Sequence, residues 1–160
     1  MTHDDDLTTL AKLTKKARVG VLTTVDAHGN LVSRPLAMQD IDFEGDLWFF
    51  TQDPSPKVED ITGNPHVNVS FEADTGWVSI AGTAEVSRDQ AMIDKLWNKF
   101  AEAWFEQGRE DPSVALLKVS AETAEFWSTD QPRALQLLNV AKAVVTGGSP
   151  DIGESKTVQL

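Results

Sequence analysis

Between Val19 and Ser87 the 160-residue chain carries two basic residues, Arg34 and Lys57, against eleven acids. Arg34 stands in Ser33-Arg-Pro-Leu36. Lys57 follows an aromatic run, Leu47-Trp-Phe-Phe-Thr51, and closes Ser55-Pro-Lys57. Two isolated cations beside strand ends, with the hydroxyls of Thr51 and Ser55 between them, suit the neutralisation of a small anion such as a phosphate. Ser55-Pro-Lys57 also reads as a helix start, whose free amides and the Lys57 ammonium can converge on one phosphate. Pro35 removes a backbone donor and holds Arg34 extended, which leaves nearby carbonyls to face a flat heterocycle. The plainer alternatives are a surface pairing of Arg34 with Asp40 or Asp42 and a solvated Lys57.

Other side chains offer less. Trp127 closes a strand and either stacks on a planar ring or is simply buried; Trp77 is a pocket wall or an exposed rim. His3, His28 and His66 have no metal-ligand spacing, and with no cysteine present a metal site is not expected. No nucleophile elbow, triad order or acid–base pair stands out, so catalytic residues are unknown and it is uncertain whether the protein is an enzyme. If it is one, a cofactor must carry the chemistry.

Net charge narrows the partners. At −11, with 41% hydrophobic residues, the chain has the composition of a globular protein but no basic face for nucleic acid. The same charge disfavours anionic membranes, and no apolar run approaches the roughly 20 residues of a span. The acidic start, Met1-Thr-His-Asp-Asp-Asp6, lacks the features of a signal peptide. A cytoplasmic location is the expectation.

The elements that must position these residues follow from the hydrophobic period. Asp4 to Lys16 predicts a helix with acids at its start and lysines at its end. Val19–Asp26 and Leu31–Met38 predict a hairpin, Leu47–Thr51 a buried strand, and Pro56–Ile61 a short helix capped by Ser55. Val67–Glu72 and Trp77–Ser87 predict a second hairpin, in which Gly82 marks a bulge or a close backbone approach. Arg88–Glu106 predicts a helix with Ile93, Leu96, Trp97, Phe100 and Trp104 on its apolar face. Val114–Trp127 is a strand interrupted near Ser120–Thr123, and Pro132–Val145 a last helix. The expected architecture is mainly β with helices (α+β): a six-stranded antiparallel split β-barrel with helical attachments. One domain spans residues 1–146, and 147–160 form a C-terminal tail.

Taken in order, several segments resemble the flavin-binding split barrels of the pyridoxamine 5′-phosphate oxidase-like superfamily, nearest its general stress protein branch (the general stress protein 26 type). They are Ser33-Arg-Pro-Leu36, Asp46-Leu-Trp-Phe-Phe-Thr51 with Ser55-Pro-Lys57, Ile80-Ala-Gly-Thr-Ala-Glu85, Trp104-Phe105 with Asp111-Pro112, Ala124-Glu-Phe-Trp127, and Ala141-Lys-Ala-Val-Val-Thr-Gly147. The resemblance implies a homodimer with FMN bound at the subunit interface and a small-molecule redox partner. Arg34, Ser55 and Lys57 would then hold the phosphate, and Leu36, Phe50 and Thr51 would line the ring and ribityl chain. Trp77 and Trp127 would approach the flavin from the second subunit. Gln39 stands where the oxidases proper carry a further basic residue. Ser128-Thr-Asp-Gln-Pro-Arg133 replaces their substrate-holding Arg-x-His-x-Arg element. The implied function is therefore a flavin-dependent oxidoreductase without pyridoxamine phosphate oxidase activity. The alternative is a non-catalytic protein that binds, stores or senses FMN, FAD or the deazaflavin F420. A third reading takes Trp97, Phe100, Trp104 and Phe105 as a partner-binding surface on an empty barrel.

Overall fold

The computed structural model describes residues 3–73, 75–128, 141–148 and 154–160. Seven strands form one antiparallel sheet: β1 (Val19–Val25), β2 (Leu31–Ala37), β3 (Asp46–Gln52), β4 (His66–Ala73), β5 (Gly76–Ser87), β6 (Val114–Ser128) and β7 (Glu154–Gln159). The sheet order is β2-β1-β4-β5-β6-β3, with β7 paired to β6 beyond the stretch that β3 occupies. The fold class is thus mainly antiparallel β with helices, as expected, but the six-stranded barrel needs correction. There are seven strands, and among the described residues no ladder joins β2 to β3, so the sheet is open there.

The seventh strand comes from the segment expected to be a tail. Ser155 and Thr157 are exposed while Val158 is buried with the main core, so this end of the chain extends the sheet beyond residue 146. Its short run, Glu154-Ser-Lys-Thr-Val-Gln159, buries one apolar residue against the core, too little for periodicity to reveal it.

Alternation of apolar residues places one sheet face over a core of Leu22, Val69, Ile80, Val119, Phe49 and Phe126, each 1% exposed or less. Helix α1 (His3–Lys16) lays Leu10 and Leu13 on that core. Its acidic first turn and basic last turn match the helix dipole. Strand β6 runs unbroken through the stretch expected to interrupt it. Glu122 is the extra residue there, because Ala81 pairs with Thr123 and Gly82 with Ala121. The bulge anticipated at Gly82 is present.

The long helix expected over Arg88–Glu106 is two helices, α3 (Gln90–Leu96) and α4 (Lys99–Trp104). Trp97 leaves helical geometry with ψ of 131°, and the Asn98 side chain accepts from the amide of Ala101, 2.9 Å away. An asparagine able to cap offers the backbone a bond that competes with a continuous helix. Ile93, Leu96, Ala101 and Phe105 then build a second core with Val114 and Leu116. Phe50 and Trp97 meet edge-on in its flank, their ring centres 5.6 Å apart. Residues 141–146 are helical; 132–140, the start of the expected last helix, lie outside the described residues. No helix among the described residues is long and apolar enough to cross a membrane.

Candidate functional site: a cationic cleft at the open edge of the sheet

Where β2 and β3 fail to pair, a cleft of about 190 Å³ opens between them. Leu36 and Ala37 form one side, Phe50 and Thr51 the other, Lys57 one end, and α4 the roof. Pro35, on the same wall, has no amide to offer a neighbouring strand, which suits it to an unpaired edge. Helix α2 (Pro56–Gly63) follows β3 directly, with a cis bond at Asp53–Pro54 in the connection. Its first intrahelical bond runs from the Glu59 amide to the Ser55 carbonyl, 3.1 Å, so the amides of Lys57 and Val58 precede the ladder.

Lys57 brings a charge with no counter-ion. Among the described residues it makes no ion pair. Partial burial, and secondly the neighbouring Arg34 charge, hold its ammonium below the usual lysine range. Arg34 is held from behind: its guanidinium donates to Thr24 Oγ1 at 2.7 Å and the Leu22 carbonyl at 3.3 Å, with Asp60 Oδ2 at 3.5 Å. Thr24, fully buried, donates in turn to Asp60 at 2.8 Å. The pairings with Asp40 or Asp42 open to Arg34 on sequence are not made; Asp42 pairs with Lys15 instead.

Ser55 departs from its expected role. It occupies the N-cap position of α2, yet its side chain makes no cap bond. Its hydroxyl is buried with no partner among the described residues. A buried hydroxyl without a bond costs free energy. Here it belongs to the residue that opens α2, two positions before Lys57. Ser55→Ala is accordingly expected to leave the ligand-free protein as stable or about 1 kcal/mol more stable, while weakening phosphate-ligand affinity severalfold; thermal melts paired with ligand titration check both. A clear loss of stability would show that the hydroxyl has a structural partner.

The structure thus gathers Leu36, Phe50, Thr51 and Lys57 on one cleft; Arg34 is near enough to act on the Lys57 charge but does not line the cleft, and neither does Ser55, two positions before Lys57 in the chain. Trp77 and Trp127 lie elsewhere. They are register partners on β5 and β6, and neither lines the cleft. Trp77 is 40% exposed. Sequence reasoning missed Thr24 and Asp60, which steady Arg34. Asp60 sits three residues after Lys57 in α2, a spacing that suggests pairing with Lys57, whereas Asp60 faces Arg34, a contact across the fold that no local spacing signals. Of Trp97, Phe100, Trp104 and Phe105, the residues of the partner-surface reading, the last three line the cleft, and Trp97 packs edge-on against Phe50. A wider depression of about 430 Å³ is edged by Asp42, Glu44 and Asp46 together with Lys95, a more acidic lining than that of the cleft.

The model of proteins described as pyridoxamine 5′-phosphate oxidase like matches residues 5–151. The chain belongs to this family. Protein bli-3 of Neurospora crassa is 29% identical over 97% of this chain and 80% of its own length. A candidate general stress protein 26 from Jannaschia sp. CCS1 superposes with a TM-score of 0.74 at 28% identity, covering 99% of this chain and all of that one. The general stress FMN/FAD binding protein of Xanthomonas citri gives 0.68 at 29% identity, covering 77% of this chain and 88% of its own. The open seam between β2 and β3 carries one cation in its lining, Lys57. Gln39, in the position where a further cation was expected of an oxidase, lines the cleft and accepts from the Asn98 amide nitrogen at 3.1 Å.

Proposed function

We propose that this protein binds FMN in the β2–β3 cleft and acts as a flavin-dependent oxidoreductase of general stress protein type, without pyridoxamine phosphate oxidase activity. The observation that carries the reading is Lys57, which lines the cleft and makes no ion pair among the described residues, together with the buried Ser55 hydroxyl two positions before it in the chain, unpartnered among the described residues. Both are completed by one phosphate monoester. Ser55, Lys57 and Arg34 would hold the phosphate, with the leading amides of α2 adding donors. Leu36, Phe50 and Thr51 would flank the ribityl chain and ring, and Phe50 is itself braced by Trp97. The flavin supplies electron or hydride transfer at its ring. The chain's share is position and charge: it neutralises the phosphate at one end and excludes water along an apolar wall.

Residues 128–133 lack the cationic element that would seize a second phosphate, which separates this chemistry from vitamin oxidation. The experiment is a visible spectrum of the purified protein followed by titration of the apo form with FMN. A saturable, one-per-chain site supports the assignment; a protein indifferent to FMN overturns it and turns the search to F420.

One observation favours non-catalytic binding, storage or sensing. Besides Lys57, the polar side chains lining the cleft are Gln39, Thr51 and Gln52, and none of them is an acid or base near neutrality. Steady-state reduction by NADH or NADPH with an acceptor decides between the two: a bound flavin that never turns over favours storage.

The reading includes a homodimer that completes each site from the second subunit, through Trp77 and Trp127. A cleft of about 190 Å³ is below the range of pockets that enclose a ligand of this size. Val19, Leu31 and Trp77 are also exposed on the sheet by 54%, 75% and 40%. Sedimentation equilibrium tests this, and a monomer at micromolar concentration would refute it.

A further inference from the structure

We propose that Arg88 is a positioning residue for the anion site: it clamps the segment that carries Ser55 and Lys57, and so sets how well that segment meets a phosphate. The inference rests on the phosphate end of the flavin reading above and adds a residue from outside the cleft. Residues 53–55 join β3 to α2, and Ser55 and Lys57 stand at the start of that helix. Pro54 and Pro56 have no amide to donate, so the bonds that tie this connection to the sheet gather at Asp53. Its amide donates to the Ser113 carbonyl at 2.9 Å, and its Oδ2 accepts from Arg88 at 2.6 Å.

Arg88 follows the last residue of β5 and precedes Asp89, the N-cap of α3. Its guanidinium forks: Nη2 takes the Asp53 carboxylate, and Nη1 donates to the Pro112 carbonyl at 2.5 Å. The far arm is itself fixed, because Asp111 Oδ1 accepts from the Ser113 amide and hydroxyl at 2.9 and 2.8 Å. One planar group thus joins three segments distant in sequence: the end of β5, the connection after β3 and the turn before β6. The Arg88 side chain is 51% exposed and that of Asp53 25%, and an ion pair so open adds little to folding. Its place matters more than its energy. Among the described residues no strand pairs with β3 on the cleft side, so the connection is supported only from the side of β6 and Arg88. If that support is lost, a ligand must order the Lys57 side chain as it binds, and affinity falls.

The test titrates apo wild type, Arg88→Ala and Arg88→Lys with FMN and with riboflavin, which has the same ring and ribityl chain but no phosphate. The readout is the ratio of the two affinities, so a general loosening of the fold cancels. Arg88→Ala should shrink the preference for FMN roughly tenfold, the scale of ordering one long side chain on binding, and leave riboflavin affinity unchanged. Arg88→Lys keeps the charge but not the fork and should recover part of that loss. Full recovery would assign the effect to charge alone and overturn the clamp, as would a ratio untouched by Arg88→Ala. A second readout needs no flavin. In the ligand-free protein the Lys57 ammonium, held low chiefly by burial, should titrate closer to the ordinary 10.5 in Arg88→Ala, because a loosened segment admits water. Side-chain NMR follows this, and an unmoved Lys57 titration overturns the clamp. If the wild type binds neither flavin, the flavin reading falls and the Lys57 titration alone decides whether Arg88 positions this lysine. Arg109→Ala removes a half-exposed arginine paired with Asp94 at 3.8 Å; as the control it should leave both readouts unchanged. The melting temperature of Arg88→Ala should fall by no more than about 4 °C, as expected for an open ion pair in a chain of this size.

Discussion

Lys57→Met should weaken FMN binding by one to two orders of magnitude and leave the ligand-free protein at least as stable as wild type. The first half follows from losing one charge-assisted bond to a phosphate, on the order of 1.5–3 kcal/mol. The second half follows from the direction in which the fold moves Lys57. Burial is the larger cause and the Arg34 charge the smaller, and both disfavour the protonated amine. Since the folded-state value lies below the ordinary 10.5, the unfolded chain binds more protons between those two values. Stability therefore rises with pH across that window through this group. Below it Lys57 is charged in both states, and the cost of carrying the charge is fully present at neutral pH. Methionine keeps an apolar stem in the same space and removes that cost. FMN affinity of the wild type should conversely fall as pH rises through the lowered Lys57 value, because the ammonium is what the phosphate meets. Thermal melts of both apo proteins at neutral and alkaline pH, together with FMN titrations, test all of this. An unchanged dissociation constant in Lys57→Met would remove Lys57 from the site, and a markedly less stable apo variant would contradict its uncompensated charge.

The largest effect on folding is expected at Gly82. A Cβ there would lie well inside contact distance of the Ser120 carbonyl oxygen, and close to Ala121 Cα, which are backbone atoms of the neighbouring strand. Neither can swing aside without moving β6, whose two halves carry β3 and β7 on the same edge. Gly82→Ala should therefore destabilise by about 3 kcal/mol, the upper end of what overpacking costs. In a chain of this size that is a melting temperature lower by roughly 6–12 °C. Gly20→Ala is the control. A Cβ there meets Met38 Sδ at 2.8 Å, part of a flexible side chain, and Val69 Cγ1 at 3.2 Å, side-chain atoms rather than backbone, and a smaller loss of about 1 kcal/mol is expected. Equal melting temperatures for Gly82→Ala and wild type would mean that the bulge does not bring the strands together as closely as Gly82 allows.

How much of this was legible depends on the range of the interaction involved. The hairpin β1–β2 was visible from alternating residues and from a turn in which Gly29 takes φ of +82°. The same holds for α1 and β3, set by residues a few positions apart; the bulge was legible only as a glycine inside a strand, its partners Ala121 and Thr123 lying on β6. The break between α3 and α4 was not. Trp97 keeps the apolar period of one helix, and the period is blind to an asparagine cap that costs a single turn. Strand β7 escaped because its pairing partner lies some thirty residues upstream and its own sequence buries little.

The site divides in the same way. Residue types alone singled out Arg34, Thr51, Ser55 and Lys57, because two cations in an acidic stretch stand out whatever the fold. Which of them are free to meet a ligand was decided by tertiary contacts. Asp60 and Thr24 hold Arg34, Lys57 makes no ion pair among the described residues, and the Ser55 hydroxyl is buried short of the bond its N-cap position promised. The sequence by itself determined the strand-rich class and the chemical character of the cleft, since composition and short-range periodicity carry both. Only the tertiary structure decided that the sheet stays open between β2 and β3, that α4 roofs the gap, and that Trp77 and Trp127 fall outside it. Those outcomes depend on side chains distant in the chain competing for the same space, and no local pattern encodes the result of that competition.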